Sequence, residues 1–83
     1  MKCEIELRRL DYLNETIDSV IGEGYNPSAA LVDFVRRAHD RNLYINSEEW
    51  LAINKVCEGL DGGKSYEDTM INQKLRVTGV YRK

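Results

Sequence analysis

Hydrophobic and charged residues alternate over the first eight positions of the chain. Such an alternation places the two sets on opposite faces of an extended strand. Part of the apolar set also fits a helical stripe, and of the two periods the alternation favours a strand over residues 1–8. The apolar set is Met1, Cys3, Ile5 and Leu7, and the charged set is Lys2, Glu4, Glu6 and Arg8.

From Arg9 onward the apolar spacing changes to three and four residues, which is typical of an amphipathic helix. Two glycines, Gly22 and Gly24, follow and would end that helix. The pattern therefore predicts a first helix across residues 9–21. Its apolar stripe is Leu10, Leu13, Ile17, Val20 and Ile21.

Two further helices begin at recognisable capping residues. Asn26-Pro27 combines a good N-cap with proline at the first helical position. Asn46, with Glu49 three residues later, has the spacing of a capping box. Ser65 with Asp68 would cap a short fourth helix over 66–73, and alternation over 74–83 predicts a final strand.

These elements predict an α+β fold of three to four short helices with an N-terminal and a C-terminal strand. Glu4 and Glu6 on the first strand face basic residues on the last, Arg76 and Arg82. Because opposite charges stabilise neighbouring strands, the two terminal strands would pair with each other. A length of 83 residues leaves room for one domain, residues 1–83.

Composition removes several classes of protein. Two cysteines allow at most one disulfide, and with one histidine they fall short of four zinc ligands. No apolar run approaches the roughly 20 residues of a membrane span, and charges interrupt the N-terminus where a signal peptide would be apolar. We therefore expect a cytoplasmic protein without metal or cofactor.

Candidate catalytic motifs are weak. Gly59 to Ser65 resembles a phosphate-binding loop, but its first glycine is one residue too close to the Gly-Lys-Ser end. A catalytic pair of His39 with Cys57 or Cys3 would also need a pocket and oxyanion donors, and one small domain would have to supply all of them. The sequence thus predicts a protein that is not an enzyme.

Residues 1–38 resemble ribbon-helix-helix DNA-binding proteins of the MetJ/Arc/CopG type in their order of strand, helix, glycine-containing turn and helix. The resemblance implies a dimer whose paired strands enter the major groove, here with a C-terminal extension. It would place Lys2, Glu4 and Glu6 against bases and Asn26 and Ser28 against phosphate. Residues 42–83 have no counterpart in that family.

The distribution of charge favours a protein partner over DNA. The formal net charge is -2, but residues 1–61 carry 7 basic and 12 acidic side chains. DNA binding normally requires a basic surface. The leading hypothesis is a small regulator or inhibitor that binds another protein with a basic surface, as antitoxins, immunity proteins or phage antagonists do; a homodimer is compatible with it. The candidate binding residues are Tyr44, Glu48, Glu49 and Trp50.

Overall fold

Two β-hairpins flank a pair of helices along the chain. The computed structural model describes residues 2–82. The elements are β1 (Lys2–Leu10), β2 (Thr16–Gly24), α1 (Pro27–Asp40), α2 (Ser47–Asp61), β3 (Tyr66–Ile71) and β4 (Leu75–Arg82). Neither helix in residues 2–82 has the length and apolar character needed to cross a membrane.

The four strands form one antiparallel sheet in the order β2-β1-β4-β3. Helix α1 packs on β2, and α2 packs on β3 and β4. Alternate strand residues point towards the helices and join their apolar faces in one core, which leaves the opposite sheet face open. The fully buried large side chains are Ile5, Leu7, Phe34, Ile53, Val56 and Val77.

The first and last strands pair, as the charge pattern predicts. Leu7 lies opposite Val77, and Ile5 lies opposite Gly79. The Glu4 carboxylate is 3.8 Å from Nε of Arg82. Arg76, in contrast, bonds to Asp68 on β3, so only part of the predicted cross-strand charge pairing is present.

The helix predicted over residues 9–21 is wrong. This segment is the end of β1, a turn and most of β2. Asp11 builds the turn, since its carboxylate accepts hydrogen bonds from the amides of Leu13 and Glu15, and Asn14 adopts φ 63°. Four of the nine residues of β2 are β-branched, namely Thr16, Ile17, Val20 and Ile21, which favours a strand once β1 offers a partner.

The short helix predicted over 66–73 is also wrong, so the fold has two helices within residues 2–82 and not three or four. Tyr66–Ile71 forms β3, and the turn to β4 uses left-handed backbone at Asn72 and Gln73. The alternative architecture, a ribbon-helix-helix dimer, needs a first strand free to pair with its symmetry mate. Here β1 is paired on both sides.

Local capping correctly predicts where both helices begin. The Asn26 side chain accepts a hydrogen bond from the Ala29 amide, with Pro27 at the first helical position. At α2, Asn46 and Glu49 form a reciprocal capping box. These signals are reliable because each joins a side chain to backbone within three residues.

Candidate functional site

The predicted binding residues do not form one surface. Tyr44 and Glu48 are exposed, and Tyr44 is 79% accessible. Trp50 is half-buried, packs against the core and meets Phe34 edge to face at a centroid distance of 6.5 Å. Glu49 is only 2% accessible. Tyr44 and Glu48 are therefore available to a partner, whereas Glu49 belongs to the interior.

Glu49 joins α2 to the sheet. Its carboxylate accepts hydrogen bonds from Nε and Nη2 of Arg9 at 2.9 and 3.0 Å and from the Asn46 amide at 2.9 Å. Burial by itself raises the pKa of Glu49, but the Arg9 and Asn46 hydrogen bonds outweigh it and hold the pKa below its ordinary value. Glu49 is thus ionised and structural.

The residues that the ribbon-helix-helix resemblance assigns to DNA are divided between two places. Lys2, Glu4 and Glu6 lie on the open sheet face, where Nζ of Lys2 is 3.2 Å from Glu23. Asn26 and Ser28 lie at the beginning of α1, and the Asn26 side chain caps that helix.

The nucleophilic side chains are poorly placed for chemistry. Cys3 and Cys57 are both buried free thiols. Burial raises the pKa of Cys57 to about 11, which keeps the thiol protonated at neutral pH. His39 is exposed on α1. No group of three or more metal-ligating side chains occurs in the part of the chain that the structure describes.

The free edges of the two outer strands of the sheet, β2 and β3, are covered to different degrees. In an antiparallel ladder, alternate residues direct both backbone groups to the neighbouring strand and the rest direct them outward. On β2 the outward set includes Ser19 and Glu23. The Glu23 amide donates to the Asp33 carboxylate at 2.9 Å, and the Ser19 carbonyl accepts from Arg41. Side chains of α1 and its C-cap therefore cover part of this edge, which discourages strand addition.

Asp33 makes this cover sensitive to pH. The Glu23 amide, and then Arg36, hold the pKa of Asp33 below its ordinary value. A lowered folded-state pKa stabilises the protein above the ordinary value of about 4 and loses that effect as the pH falls further. We expect Asp33→Ala to lower the free energy of unfolding at pH 7 by about 1 kcal/mol. Urea titrations at several pH values should show that the variant loses less stability below pH 4 than the wild type does.

The exposed acid Asp40, on the same helix, provides the control for this prediction. Asp40→Ala should leave both the stability at pH 7 and its acid dependence close to those of the wild type. Equal effects of the two substitutions would show that Asp33 has no capping role.

The free edge of β3 is uncovered. The Ser65 carbonyl accepts from the Tyr81 amide at 2.8 Å, which sets the alternation along this strand pair. Tyr66, Asp68 and Met70 consequently direct their N–H and C=O groups away from β4. Within residues 2–82 no side chain bonds to these backbone groups, in contrast to the cover on β2.

An apolar groove lies between this edge and α2. It has a volume of about 240 Å³. Leu51 stands beside it with 71% of its surface accessible, although it is a leucine in the middle of a helix. Ile71 forms part of the floor and packs partly against the core. The lining residues are Glu48, Leu51, Ala52, Lys55, Thr69 and Ile71.

The candidate site is therefore the edge of β3 together with the groove beside α2. Sequence reasoning missed it because residues 66–73 were predicted to be helical. Apolar and polar residues do not alternate from Tyr66 to Ile71, so no sequence pattern shows this strand; exposed and half-buried side chains alternate there only in the folded sheet. Comparison of the chain with family models, curated proteins and solved structures gives no match.

Proposed function

We propose that this protein binds another protein stoichiometrically, by accepting an extended segment of its partner as a fifth strand beside β3. The observation that carries the proposal is the contrast between the two sheet edges. Asp33 and Arg41 cover β2, whereas the backbone groups of Tyr66, Asp68 and Met70 are left open. A small regulator or inhibitor that acts by occupying a segment of its partner would bind in this way.

Strand addition supplies both affinity and selectivity. Backbone hydrogen bonds from the outward residues of β3 would hold the segment, and every second side chain of the segment would face the groove. Leu51 and Ile71 favour an apolar side chain there. The remaining side chains would lie over the open sheet face beside Tyr66 and Met70, both of which are exposed.

The charge on α2 favours a basic partner. Helix α2 exposes Glu48, Glu58 and Asp61 but only one cation, Lys55. Across residues 2–82 none of these three acids forms an ion pair, whereas Asp68 is neutralised by Arg76 at 2.6 Å. Of the three, Glu48 lines the groove, and uncompensated acids on the helix beside a binding edge speed association with a positively charged segment.

A displayed library of random peptides is the probe for this site. Selected peptides should alternate apolar and polar residues and carry net positive charge. We expect Met70→Pro to weaken their binding about tenfold, because it removes one outward N–H without breaking a bond to β4. Leu51→Ser should weaken binding at least tenfold through lost apolar contact. Titration calorimetry measures both changes.

Two variants match these substitutions closely. Val32 on α1 is 69% accessible, nearly as exposed as Leu51, so Val32→Ser should bind as the wild type does. Met70→Ala keeps the backbone donor and should lose much less affinity than Met70→Pro. The proposal would be wrong if the selected peptides bound all four variants equally. It would also be wrong if they shifted only the amide resonances of residues outside 66–70.

A further inference from the structure

The turns of the two hairpins lie at the same end of the sheet. The Leu10 amide donates to the Lys74 carbonyl at 2.8 Å, which ties the end of β1 to the turn before β4. Between the turns, on the open face, lies a concavity of about 580 Å³, within the usual range of small-ligand sites. Its lining residues are Arg8, Leu10, Asn14, Met70, Gln73 and Arg76.

This pocket combines two cations with an apolar floor. Arg8 and Arg76 are direct cross-strand partners on β1 and β4, and like charges in that position destabilise a sheet. Leu10 is buried but lies outside the main core cluster, so its apolar surface belongs to this side of the molecule.

The two arginines differ in how well they are satisfied. Arg76 forms a two-point contact with Asp68 through Nε at 3.1 Å and Nη2 at 2.6 Å. Arg8 has Glu6 at 3.8 Å from Nε, beyond hydrogen-bond distance, and Asp68, which is bonded to Arg76, within electrostatic range. The Nε atom of Arg8 is buried without an acceptor among residues 2–82. A buried donor without a partner costs free energy, and its retention calls for an explanation.

We propose that this pocket binds a small organic carboxylate. Arg8 would hold the carboxylate, because a guanidinium matches its two oxygens. Leu10 and Met70 would contact the apolar body of the ligand. The side-chain amides of Asn14 and Gln73, carried on left-handed turn residues at φ 63° and 65°, supply further polar contacts. Strand addition at β3 does not involve Arg8, so this proposal goes beyond the proposed protein-binding function.

Benzoate is the probe, and benzamide is its uncharged isostere. Titration of the ¹⁵N-labelled chain with benzoate should shift amide resonances of Asn14, Gln73 and Arg8, while benzamide should not. Arg8→Met should weaken benzoate binding at least tenfold. Arg36→Met, on the exposed side of α1, should leave it unchanged.

Stability provides a second readout. Because Arg8→Met removes a like-charge pair and an unpartnered donor, we expect it to melt at or above the wild-type temperature. Arg8→Lys keeps the charge but loses the planar fork, and it should bind benzoate several-fold more weakly than the wild type.

Three results would overturn the proposal. They are equal shifts with benzamide and benzoate, unchanged benzoate affinity in both Arg8 variants, and binding of inorganic phosphate without binding of benzoate. The last result would identify an anion site with no use for the apolar floor. A failure of peptide binding at β3 with benzoate binding intact would count only against the protein-binding function.

Discussion

Replacing Glu49 with lysine is expected to lower the free energy of unfolding by about 3–5 kcal/mol, since breaking a buried ion pair leaves an uncompensated charge inside. The substitution places a second cation against Arg9 in a site that is 2% accessible. It also removes the acceptor for the Asn46 amide and so opens the capping box. A domain of this size has a total stability of about 4–12 kcal/mol, so a large part of it would be lost.

Glu48 provides the matched control. It precedes Glu49 in the same helical turn but is exposed. Because Glu48 lies in the first turn of α2, Glu48→Lys loses a favourable interaction with the helix dipole. It should lower the free energy of unfolding, measured by urea titration with Trp50 fluorescence, by no more than about 1 kcal/mol. Glu49→Gln, which keeps the shape but loses the charge, should fall between the two. Equal midpoints for the two lysine variants would contradict the structural role of Glu49.

Replacing Gly22 with alanine is expected to cost about 3 kcal/mol, the second large effect. An added Cβ would lie 2.5 Å from both the backbone N and the Cβ of Phe34 on α1 and closer still to the Ala30 carbonyl oxygen. Backbone atoms of a packed helix cannot rotate away as a side chain can, so α1 would have to lift from β2. Overpacking of this kind is destabilising by 1–3 kcal/mol and sometimes more.

Gly62 at the end of α2 is the control for this substitution. Its φ of -75° suits any residue, and the nearest atom to an added Cβ is 3.3 Å away. Gly62→Ala should leave the stability within about 0.5 kcal/mol of the wild type. Equal melting temperatures for Gly22→Ala and Gly62→Ala would show that α1 packs less closely on β2 than it does in the structure.

The two large effects expose what the sequence patterns could not distinguish. Glu49 carries the same side chain as its exposed neighbour, and its ion-pair partner Arg9 lies 40 residues away in the chain. The sequence pattern predicts that Gly22 ends a helix, yet its importance lies in the close approach of α1 at Ala30 and Phe34. Both roles depend on contacts distant in the chain, which composition and spacing do not reveal.

The candidate site was hidden for a related reason. β3 has a free edge only because its partner β4 pairs with β1 on the other side. The groove exists only because α2 lies across this edge. The sequence pattern places Asp68 in a helix cap, whereas in the structure it binds Arg76 across the strand pair. The pocket at Arg8 likewise needs two turns, from opposite halves of the chain, at one end of the sheet.

By itself the sequence determined the α+β class, the beginnings of both helices and the two terminal strands. Those features follow from short-range rules: a cap bonds to backbone within one turn, and a strand alternates residue by residue. The tertiary structure alone decided that residues 16–24 and 66–71 are strands. Their apolar spacing fits a helix as well, and Leu13, Ile17 and Ile21 from the predicted stripe are in fact exposed. Free edges on β1 and β4 supplied the backbone partners that settled the choice, because a strand is stable only beside another.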